Sequence, residues 1–239
     1  MSSSSRTKEQ RAASQEKFYT PPALALACVS RLKADGLLSF PVVGGTSYRA
    51  IDPCAGAGAW IRAMQAIGIS DRCIVANDLD AEAMQKIDYL PSSNVWVLDA
   101  LTLDGGWDLV VGNPPFNTAD EHILAGLEMR RPDTGILGLI LRDGFFAVKK
   151  RMGFWLEHRP TKVYLLAPRP PFRSGRGNTD SATYVFVVWS CAWEAARRTL
   201  PHPFETTLDI IDWSDYRTTV ASEVEGVPHA KTKRRRKAA

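Results

Sequence analysis

From Tyr48 onward the chain alternates short apolar runs with amphipathic stretches, and this alternation constrains the fold more than any other feature. The apolar runs have the length of buried strands, and the stretches between them carry helix-forming residues. Because strands separated by helices pair in parallel, the pattern predicts an α/β fold: a doubly wound, mostly parallel sheet with helices on both faces. The predicted strands are 48–52, 73–78, 95–98, 107–112, 135–141, 162–167 and 183–190, and the predicted helices are 23–33, 59–67, 81–89, 118–130 and 145–157.

Residues at the helix ends support two of these helices. Pro21 and Pro22 fit the first turn of the earliest one, where the missing N–H of proline costs nothing. Thr118 and Glu121 have the spacing of a capping box at the start of the helix that follows them. Residues 192–239 show no pattern regular enough to assign elements.

A length of 239 residues suits one α/β domain with modest additions. We expect a disordered N-terminus over residues 1–17 and the α/β domain over 18–200. An irregular extension over 201–228 and a basic tail over 229–239 complete the predicted organisation.

Composition narrows the cellular setting. No apolar stretch approaches the roughly 20 residues that a membrane-spanning helix needs, and residues 1–11 lack the apolar run of a secretory signal. The four cysteines are scattered without the spacing of a disulfide framework or a zinc site. The sequence therefore favours a cytoplasmic protein that uses no metal.

Positive charge is concentrated at the C-terminus. The formal net charge is +4, and the tail alone contributes six cations, so the rest of the chain is slightly acidic. Such an arm is typical either of a solvated end or of a segment attracted to nucleic-acid phosphates. The six cations are Lys231, Lys233, Arg234, Arg235, Arg236 and Lys237.

A glycine loop, Asp-Pro-Cys-Ala-Gly-Ala-Gly over residues 52–58, comes directly after the first predicted strand. Glycines let a backbone turn tightly and approach a ligand closely. A dinucleotide-binding loop would have a third glycine where this sequence has Ile61, and Trp60 is bulky where a phosphate would lie. With Asp52 at the strand end, the loop favours a cationic ligand over a pyrophosphate.

Two further carboxylates end the next two predicted strands. Asp78 follows the second strand, where an acid accepts hydrogen bonds from ribose hydroxyls, and Asp80 is close enough to compete for that role. Asp99 ends the third strand and can accept a hydrogen bond from an adenine amino group. Because parallel strands end at one edge of a sheet, we expect these acids and Asp52 to surround one ligand.

The most specific motif is Asn113-Pro114-Pro115-Phe116, after the fourth predicted strand. An exocyclic amino nitrogen on a base is a poor nucleophile, because its lone pair is delocalised into the ring. The Asn113 side-chain oxygen and the Pro114 carbonyl can accept its two N–H bonds and make it more nucleophilic. Phe116 offers a flat face on which a base can stack. The motif therefore predicts chemistry at an amino nitrogen, with no covalent intermediate.

These motifs resemble those of the amino-methylating DNA methyltransferases. Residues 18–21, Phe-Tyr-Thr-Pro, look like the family's N-terminal cofactor motif, 52–58 like its glycine motif and 113–116 like its catalytic tetrapeptide. Their order is similar to the gamma arrangement of adenine-N6 enzymes. The resemblance implies a Rossmann-like class I methyltransferase fold with seven strands, the last of them antiparallel, and a catalytic domain over residues 18–200. It also implies S-adenosylmethionine as cofactor and methylation of N6 of adenine in DNA.

The resemblance assigns roles to individual residues as well. Asn113, Pro114, Pro115 and Phe116 would form the catalytic loop, and Phe116 would also contact the substrate. Cofactor contacts are expected from Phe18, Tyr19, Thr20, Asp52, Cys54, Ala55, Gly56, Gly58, Asp78, Leu79, Asp99, Ala100 and Asn113.

One departure from the family concerns target recognition. Many relatives carry a large target-recognition domain, and this chain has little room for one. We therefore expect a recognition sequence that is short or relaxed, or one that a partner protein supplies.

A base inside a duplex must be flipped out to reach such a site, which predicts basic residues near it. Residues 142–176 contain nine cations and only two acids, Asp143 and Glu157. The loop 168–180 joins two late strands and is rich in proline, glycine and arginine. Arg173, Arg176 and Asn178 are its candidate substrate-binding residues, a solvated loop being the alternative.

Other functions remain open at this stage. An RNA adenine-N6 enzyme, a DNA cytosine-N4 enzyme and a protein glutamine-N5 methyltransferase all face the same nitrogen chemistry. A glutamine enzyme usually has a longer N-terminal helical domain, and a non-enzymatic nucleic-acid-binding module would need both loops to be vestigial. A cytosine-C5 enzyme needs a nucleophilic cysteine, and the only Pro-Cys pair, Pro53-Cys54, lies on the glycine loop.

Overall fold

A computed structural model describes residues 19–38, 48–172, 182–199 and 206–217. These residues form an eight-stranded sheet in the order β3-β2-β1-β4-β5-β7-β6-β8. The strands are β1 (Ala50–Asp52), β2 (Ile74–Asn77), β3 (Val95–Trp96), β4 (Leu109–Gly112), β5 (Ile136–Arg142), β6 (Lys162–Ala167), β7 (Tyr184–Ser190) and β8 (Thr207–Asp212).

All strand pairs are parallel except the two that β7 makes. β7 lies between β5 and β6 and runs antiparallel to both. The chain passes from β1 to β2 on one side and returns to β4 on the other, so the order reverses between β1 and β4. Ligands bind at such a reversal in open α/β sheets, beyond the carboxyl ends of the strands.

Helices cover both faces of the sheet. Successive strand residues point to opposite faces, so the inner strands contribute apolar side chains to both buried clusters. On β4, for example, Leu109 and Val111 belong to one buried cluster and Val110 to the other. Helices α1 to α3 contribute to the first cluster, and α4 and α5 pack against the second. The helices are α1 (Pro22–Ala34), α2 (Ala59–Ala66), α3 (Ala81–Met84), α4 (Ala119–Met129), α5 (Met152–Glu157) and α6 (Cys191–Thr199).

The α/β class, the mostly parallel sheet and the antiparallel β7 agree with the sequence prediction, but the predicted strand number is wrong. The structure adds β8, which pairs with β6, and α6, both in the stretch that sequence patterns left unassigned. Strand β8 was missed because Leu208 and Ile210 are exposed at the sheet edge and only Ile211 is buried, so its pattern is not that of a core strand. The sheet therefore continues past the predicted domain boundary at residue 200.

Three predicted helix features are also wrong in detail. The third helix ends at Met84 rather than at residue 89, and the fifth is reduced to short 3₁₀ turns followed by α5. Thr118 does precede α4, but its side chain makes no capping bond to the helix. Its hydroxyl donates instead to the Pro115 carbonyl at 3.4 Å, because the preceding loop holds it there. Among the described residues, no helix is long and apolar enough to cross a membrane.

Candidate active site

The glycine loop turns sharply between β1 and α2. Gly56 and Gly58 have φ values of +50° and +80°, in the left-handed region that favours glycine. A Cβ at Gly56 would lie 3.0 Å from two ring carbons of Tyr19, so this position also needs the absence of a side chain. Gly58 instead faces the Tyr89 hydroxyl, and a Cβ added to Gly58 would lie 2.3 Å from that oxygen. The loop conformation therefore depends on both glycines.

Asp78 fastens this loop to the end of β2. One of its carboxylate oxygens accepts the backbone N–H of Gly56 at 2.8 Å, and the other accepts the N–H of Asp80 at 2.9 Å. Asp80 has a different structural task, because its own carboxylate caps α3 through the N–H groups of Glu82 and Ala83. Asp78 and Asp80 are both candidates for the ribose contact in the sequence, but their hydrogen bonds differ: Asp78 holds the glycine loop, and Asp80 caps α3.

The two loops identified in the sequence lie side by side and share a groove, which we call the glycine-loop groove. Residues from the segment before α1, from the glycine loop and from the loop after β4 all line it. The strand order brings them together, because β1 and β4 are neighbours in the sheet. Its lining residues are Tyr19, Thr20, Cys54, Ala55, Gly56, Ala57, Ala59, Trp60, Asp78, Asp80, Asn113, Pro114 and Pro115.

A second groove continues from the first and shares Cys54 and Asp78 with it. We call it the third-strand groove, because Asp99 and Ala100, which follow β3, lie in its wall with Leu79. Its opposite wall consists of residues that sequence reasoning missed, Asn117, Thr118 and His122. The predicted capping box contains Thr118 but marks only a helix start, and no motif marks Asn117 or His122, since the start of α4 reaches this groove only through the fold.

Buried Asn77 holds the ends of β1, β2 and β3 together and was also missed. Its amide nitrogen donates to the carbonyls of Pro53 and Leu98, at 2.9 and 3.1 Å, and its oxygen accepts the Leu98 N–H at 3.0 Å. An asparagine at a strand end can make such a clamp because its amide both donates and accepts. This clamp ties the residues that follow β1 and β3 to the end of β2.

Asp52 is fully buried behind the glycine loop rather than in the lining of either groove. One carboxylate oxygen accepts the Cys54 N–H at 3.0 Å. The other has no hydrogen-bond partner among the described residues. Burial raises the pKa of Asp52 well above its usual range, and the Asp78 charge acts in the same direction. Gly112 leaves room for this carboxyl, since a Cβ there would lie 2.9 Å from an Asp52 oxygen.

Trp60 adds a second buried polar atom without a partner. Its side chain is 2% exposed, lines the glycine-loop groove and stacks on Phe186 at 5.7 Å between ring centroids. Its indole N–H has no acceptor among the described residues. Buried polar groups without partners are rare in folded proteins, so an orphaned acceptor and an orphaned donor near one groove indicate a ligand that offers both.

Cys54 lines both grooves with its thiol in an environment that favours the protonated form. Burial raises the pKa of Cys54 well above its usual range, and the charges of Asp52, Asp78 and Asp99 raise it further. Because the thiolate is the nucleophile of cysteine chemistry, a thiol held protonated is unsuited to covalent attack.

The aromatic ring of the Asn-Pro-Pro-Phe loop stands against two buried aromatic residues. Phe116 lies 5.5 Å from Tyr184 and 6.3 Å from Phe172, measured between ring centroids. The Arg142 guanidinium lies over the same ring, 4.8 Å from its centroid. β7 carries Tyr184 to this edge because it runs antiparallel and pairs Tyr184 with Arg142, the last residue of β5.

The fold divides the cations that the sequence placed together in 142–176. Arg142 ends β5 at the edge of the two grooves, and Arg151 pairs with Asp120 beside the loop after β4. Lys162 begins β6 and so lies at the opposite end of the strands, where it pairs with Asp35. Arg173, Arg176 and Asn178, together with Phe18 and the terminal segments 1–17 and 229–239, lie outside the described residues.

Comparison with solved structures places this architecture in the class I methyltransferase fold. A putative class I S-adenosylmethionine-dependent methyltransferase from Listeria monocytogenes superposes with a TM-score of 0.56 at 14% identity, over 92% of this chain and 72% of that one. A modification subunit of a putative type I restriction enzyme from Vibrio vulnificus gives 0.52 at 14% identity, over 77% and 47%. A putative RNA methyltransferase from Pyrococcus horikoshii gives 0.51 at 17% identity, over 77% and 98%.

This chain thus spans less than half the length of the Vibrio subunit. No protein-family model matches the sequence, and no curated protein matches it significantly. The protein shares its fold with these structures, and its chemistry depends on the residues of the two grooves.

Proposed function

We propose that the protein is an S-adenosylmethionine-dependent methyltransferase that methylates an exocyclic amino nitrogen, namely N6 of adenine in DNA. The observation that carries the proposal is the shared groove. Asn113, Pro114 and Pro115 line the same groove as the glycine loop and Asp78. A catalytic loop of this composition beside a cofactor loop has the arrangement that direct transfer between two bound molecules requires.

The residues present suit S-adenosylmethionine. Its aminoacyl end carries an ammonium, which donates hydrogen bonds, and a carboxylate, which accepts them. The orphaned Asp52 oxygen and Trp60 N–H are complementary to these two groups in kind. Asp78 stands where ribose hydroxyls are bound in related sheets, and Asp99 in the third-strand groove offers an acceptor to an adenine amino group.

The chain's own residues activate and position the nitrogen. The Asn113 side-chain oxygen is buried at the loop, and with the Pro114 carbonyl it accepts the two N–H bonds of the target amino group. This pair of acceptors localises the nitrogen lone pair and fixes its direction. When bound, S-adenosylmethionine supplies a methyl group on a sulfonium. The protonated Cys54 takes no part, and one amino proton is released to solvent.

A nucleic-acid base is favoured by the aromatic surroundings of the loop and by the charge nearby, and the family resemblance narrows it to adenine in DNA. Phe116 provides a stacking face, and the Arg142 guanidinium lies over its ring. The Vibrio neighbour is described as a restriction-modification subunit and the Pyrococcus neighbour as an RNA methyltransferase. RNA adenine and DNA cytosine-N4 are therefore the nearest alternatives, followed by a protein glutamine amide. The recognition sequence would be short or relaxed, or a partner protein would supply it.

Tritiated S-adenosylmethionine tests the proposal with unmethylated DNA, RNA and a protein extract offered separately to wild type and Asn113→Ala. We expect label in DNA, recovered as N6-methyladenine on nucleoside analysis. The variant should lose roughly a hundredfold or more in turnover, as after loss of one activating hydrogen bond in other active sites. Asn94→Ala is the control for loss of a hydrogen-bonding amide elsewhere, because Asn94 lines neither groove and donates to the carbonyls of Asp71, Arg72 and Ile74 next to β3.

The results separate the alternatives. Label in N4-methylcytosine, RNA or glutamine would replace the proposed substrate and keep the chemistry. Equal DNA labelling by Asn113→Ala and wild type would remove Asn113 from the mechanism. No transfer to any of the three substrates, with no binding of S-adenosylmethionine by calorimetry, would refute the enzyme assignment itself.

A further inference from the structure

A cavity of about 510 Å³ lies next to the loop after β4 and borders the two grooves, sharing Asn117 with the third-strand groove. This volume falls within the range of ligand pockets, roughly 300–1,000 Å³. Pro115 lines both this cavity and the glycine-loop groove, so a molecule in the cavity would lie close to the proposed transfer site. We call it the Arg142 cavity; its other walls include Phe116, Leu141, Arg142, Phe145 and Arg151.

Of the three neighbours of the Phe116 ring described above, Arg142 is the one outside the buried core. Tyr184 is fully buried and Phe172 is 4% exposed, so both are fixed by the core. Arg142 is partly exposed, and its long side chain reaches over the ring from the end of β5. An entering planar group can therefore take the place of the guanidinium, or share the ring with it, but cannot displace the two aromatics.

The second cation of the cavity has a structural function. The Arg151 guanidinium donates to both carboxylate oxygens of Asp120, at 2.9 and 3.2 Å, and lies over the Phe145 ring at 3.9 Å. These contacts tie the turn after β5 to the start of α4. The Asp120 carboxylate thereby balances the charge of Arg151, and the Arg151 side chain forms part of the cavity wall.

We propose that Arg142 determines the substrate class of this site, by binding the phosphate of the target nucleotide while its base stacks on Phe116. A guanidinium is planar, stays charged and presents several N–H donors in a fixed fork, which suits both stacking and a two-point contact to phosphate. Arginine and aromatic side chains together are the usual surface for an unpaired nucleotide. This inference rests on the function proposed above.

The same geometry disfavours a protein amide. A glutamine side chain carries no charge and offers no phosphate to the guanidinium. An aliphatic chain entering the cavity would also separate Arg142 from the Phe116 face without replacing the lost cation–π contact. The site therefore selects a nucleic-acid strand by its negative charge, before any particular base is read.

Arg142→Met tests this role, because methionine keeps most of the length and apolar contact but removes the charge and the donors. Arg197→Met is the matched control. Arg197 also lies over an aromatic ring, that of Trp193 at 5.8 Å, but on α6, at the opposite edge of the sheet. Initial rates on unmethylated genomic DNA give KM and kcat across a salt series, and calorimetry gives the affinity for S-adenosylmethionine.

We expect Arg142→Met to raise the KM for DNA about tenfold, the value of one charge-assisted hydrogen bond. The slope of log KM against log salt should fall by about one. The affinity for S-adenosylmethionine and the kinetics of Arg197→Met should match those of wild type. Equal KM and equal salt slope in the two variants would overturn the role of Arg142 while leaving the methyltransferase intact. Failure of wild type to label DNA would instead refute the proposed substrate, and failure to label both DNA and RNA would refute this inference with it.

Discussion

The backbone N–H of Gly56 donates a 2.8 Å hydrogen bond to the carboxylate of Asp78. The bond joins a loop after β1 to a residue after β2, and it fixes the floor of the glycine-loop groove. It also explains why these two residues, 22 positions apart, belong to one functional unit.

Gly56→Ala tests whether the loop conformation is needed for the cofactor. The new Cβ would meet the Tyr19 ring at 3.0 Å in a left-handed backbone, so the loop must shift. We expect the affinity for S-adenosylmethionine to fall about tenfold or more, on top of a strain of about 1–2 kcal/mol. Gly36→Ala is the control, since its φ is +70° and nothing lies within 4 Å of its Cβ. That variant should lose stability only; equal cofactor affinity in both would argue against a role for the loop.

Asp78 and Asp80 are separated by a pair of amide substitutions. Asp78→Asn removes one of the two carboxylate acceptors that hold Gly56 and Asp80, and it should weaken binding of S-adenosylmethionine about tenfold, as measured by calorimetry. Asp80→Asn retains a side chain that can cap α3, so it should change stability by less than about 0.5 kcal/mol. A larger affinity loss in Asp80→Asn would transfer the ribose role to that residue.

Asp52 predicts a pH dependence of stability. Because burial raises its pKa in the folded protein, the native state retains a proton that the unfolded chain loses near about pH 4. The free energy of unfolding should therefore fall as pH rises above that value, until the folded carboxyl has also ionised.

Asp52→Asn should remove this contribution, so its urea unfolding curves should vary less with pH than those of wild type above pH ~4. A bound ammonium would favour the ionised form of Asp52, so the same variant should bind S-adenosylmethionine about tenfold more weakly. An unchanged pH slope would mean that Asp52 is ionised in the folded protein, and unchanged affinity would restrict it to shaping the loop.

The last strand should prove integral to the domain. Trp213, directly after β8, is 3% exposed; its backbone N–H donates to Ala167 at 3.0 Å and its indole N–H donates to Pro168. Trp213→Ala should lower the free energy of unfolding by about 3–5 kcal/mol. Leu208→Ala, at a site 67% exposed on β8 itself, should change it by less than about 0.5 kcal/mol. A small effect of Trp213→Ala would show that the region beyond residue 200 docks only loosely.

The sequence by itself determined the α/β class, the first seven strands and the position of both loops. Those features depend on local periods and on residues that act through their own backbone, such as Gly56 and Pro114, and local rules read them directly. Strand β8 escaped because an edge strand buries too little to show a core pattern, as exposed Leu208 and Ile210 illustrate. The helix predicted from residue 145 to 157 was too long because its aromatic residues serve the core between short turns.

Only the tertiary structure decided which of these residues meet. The sequence contains nine cations in the stretch 142–176. In the structure, the order and directions of β5, β7 and β6 place Arg142 at the proposed site and Lys162 at the opposite end of the strands. The tertiary structure also placed Asp52 behind the glycine loop, Asn77 between the ends of β1, β2 and β3, and His122 in the third-strand groove, although no motif marks Asn77 or His122 in the sequence. The reason is physical: a strand's local pattern fixes which face each side chain takes, but which strand lies beside it depends on contacts between residues far apart in the chain.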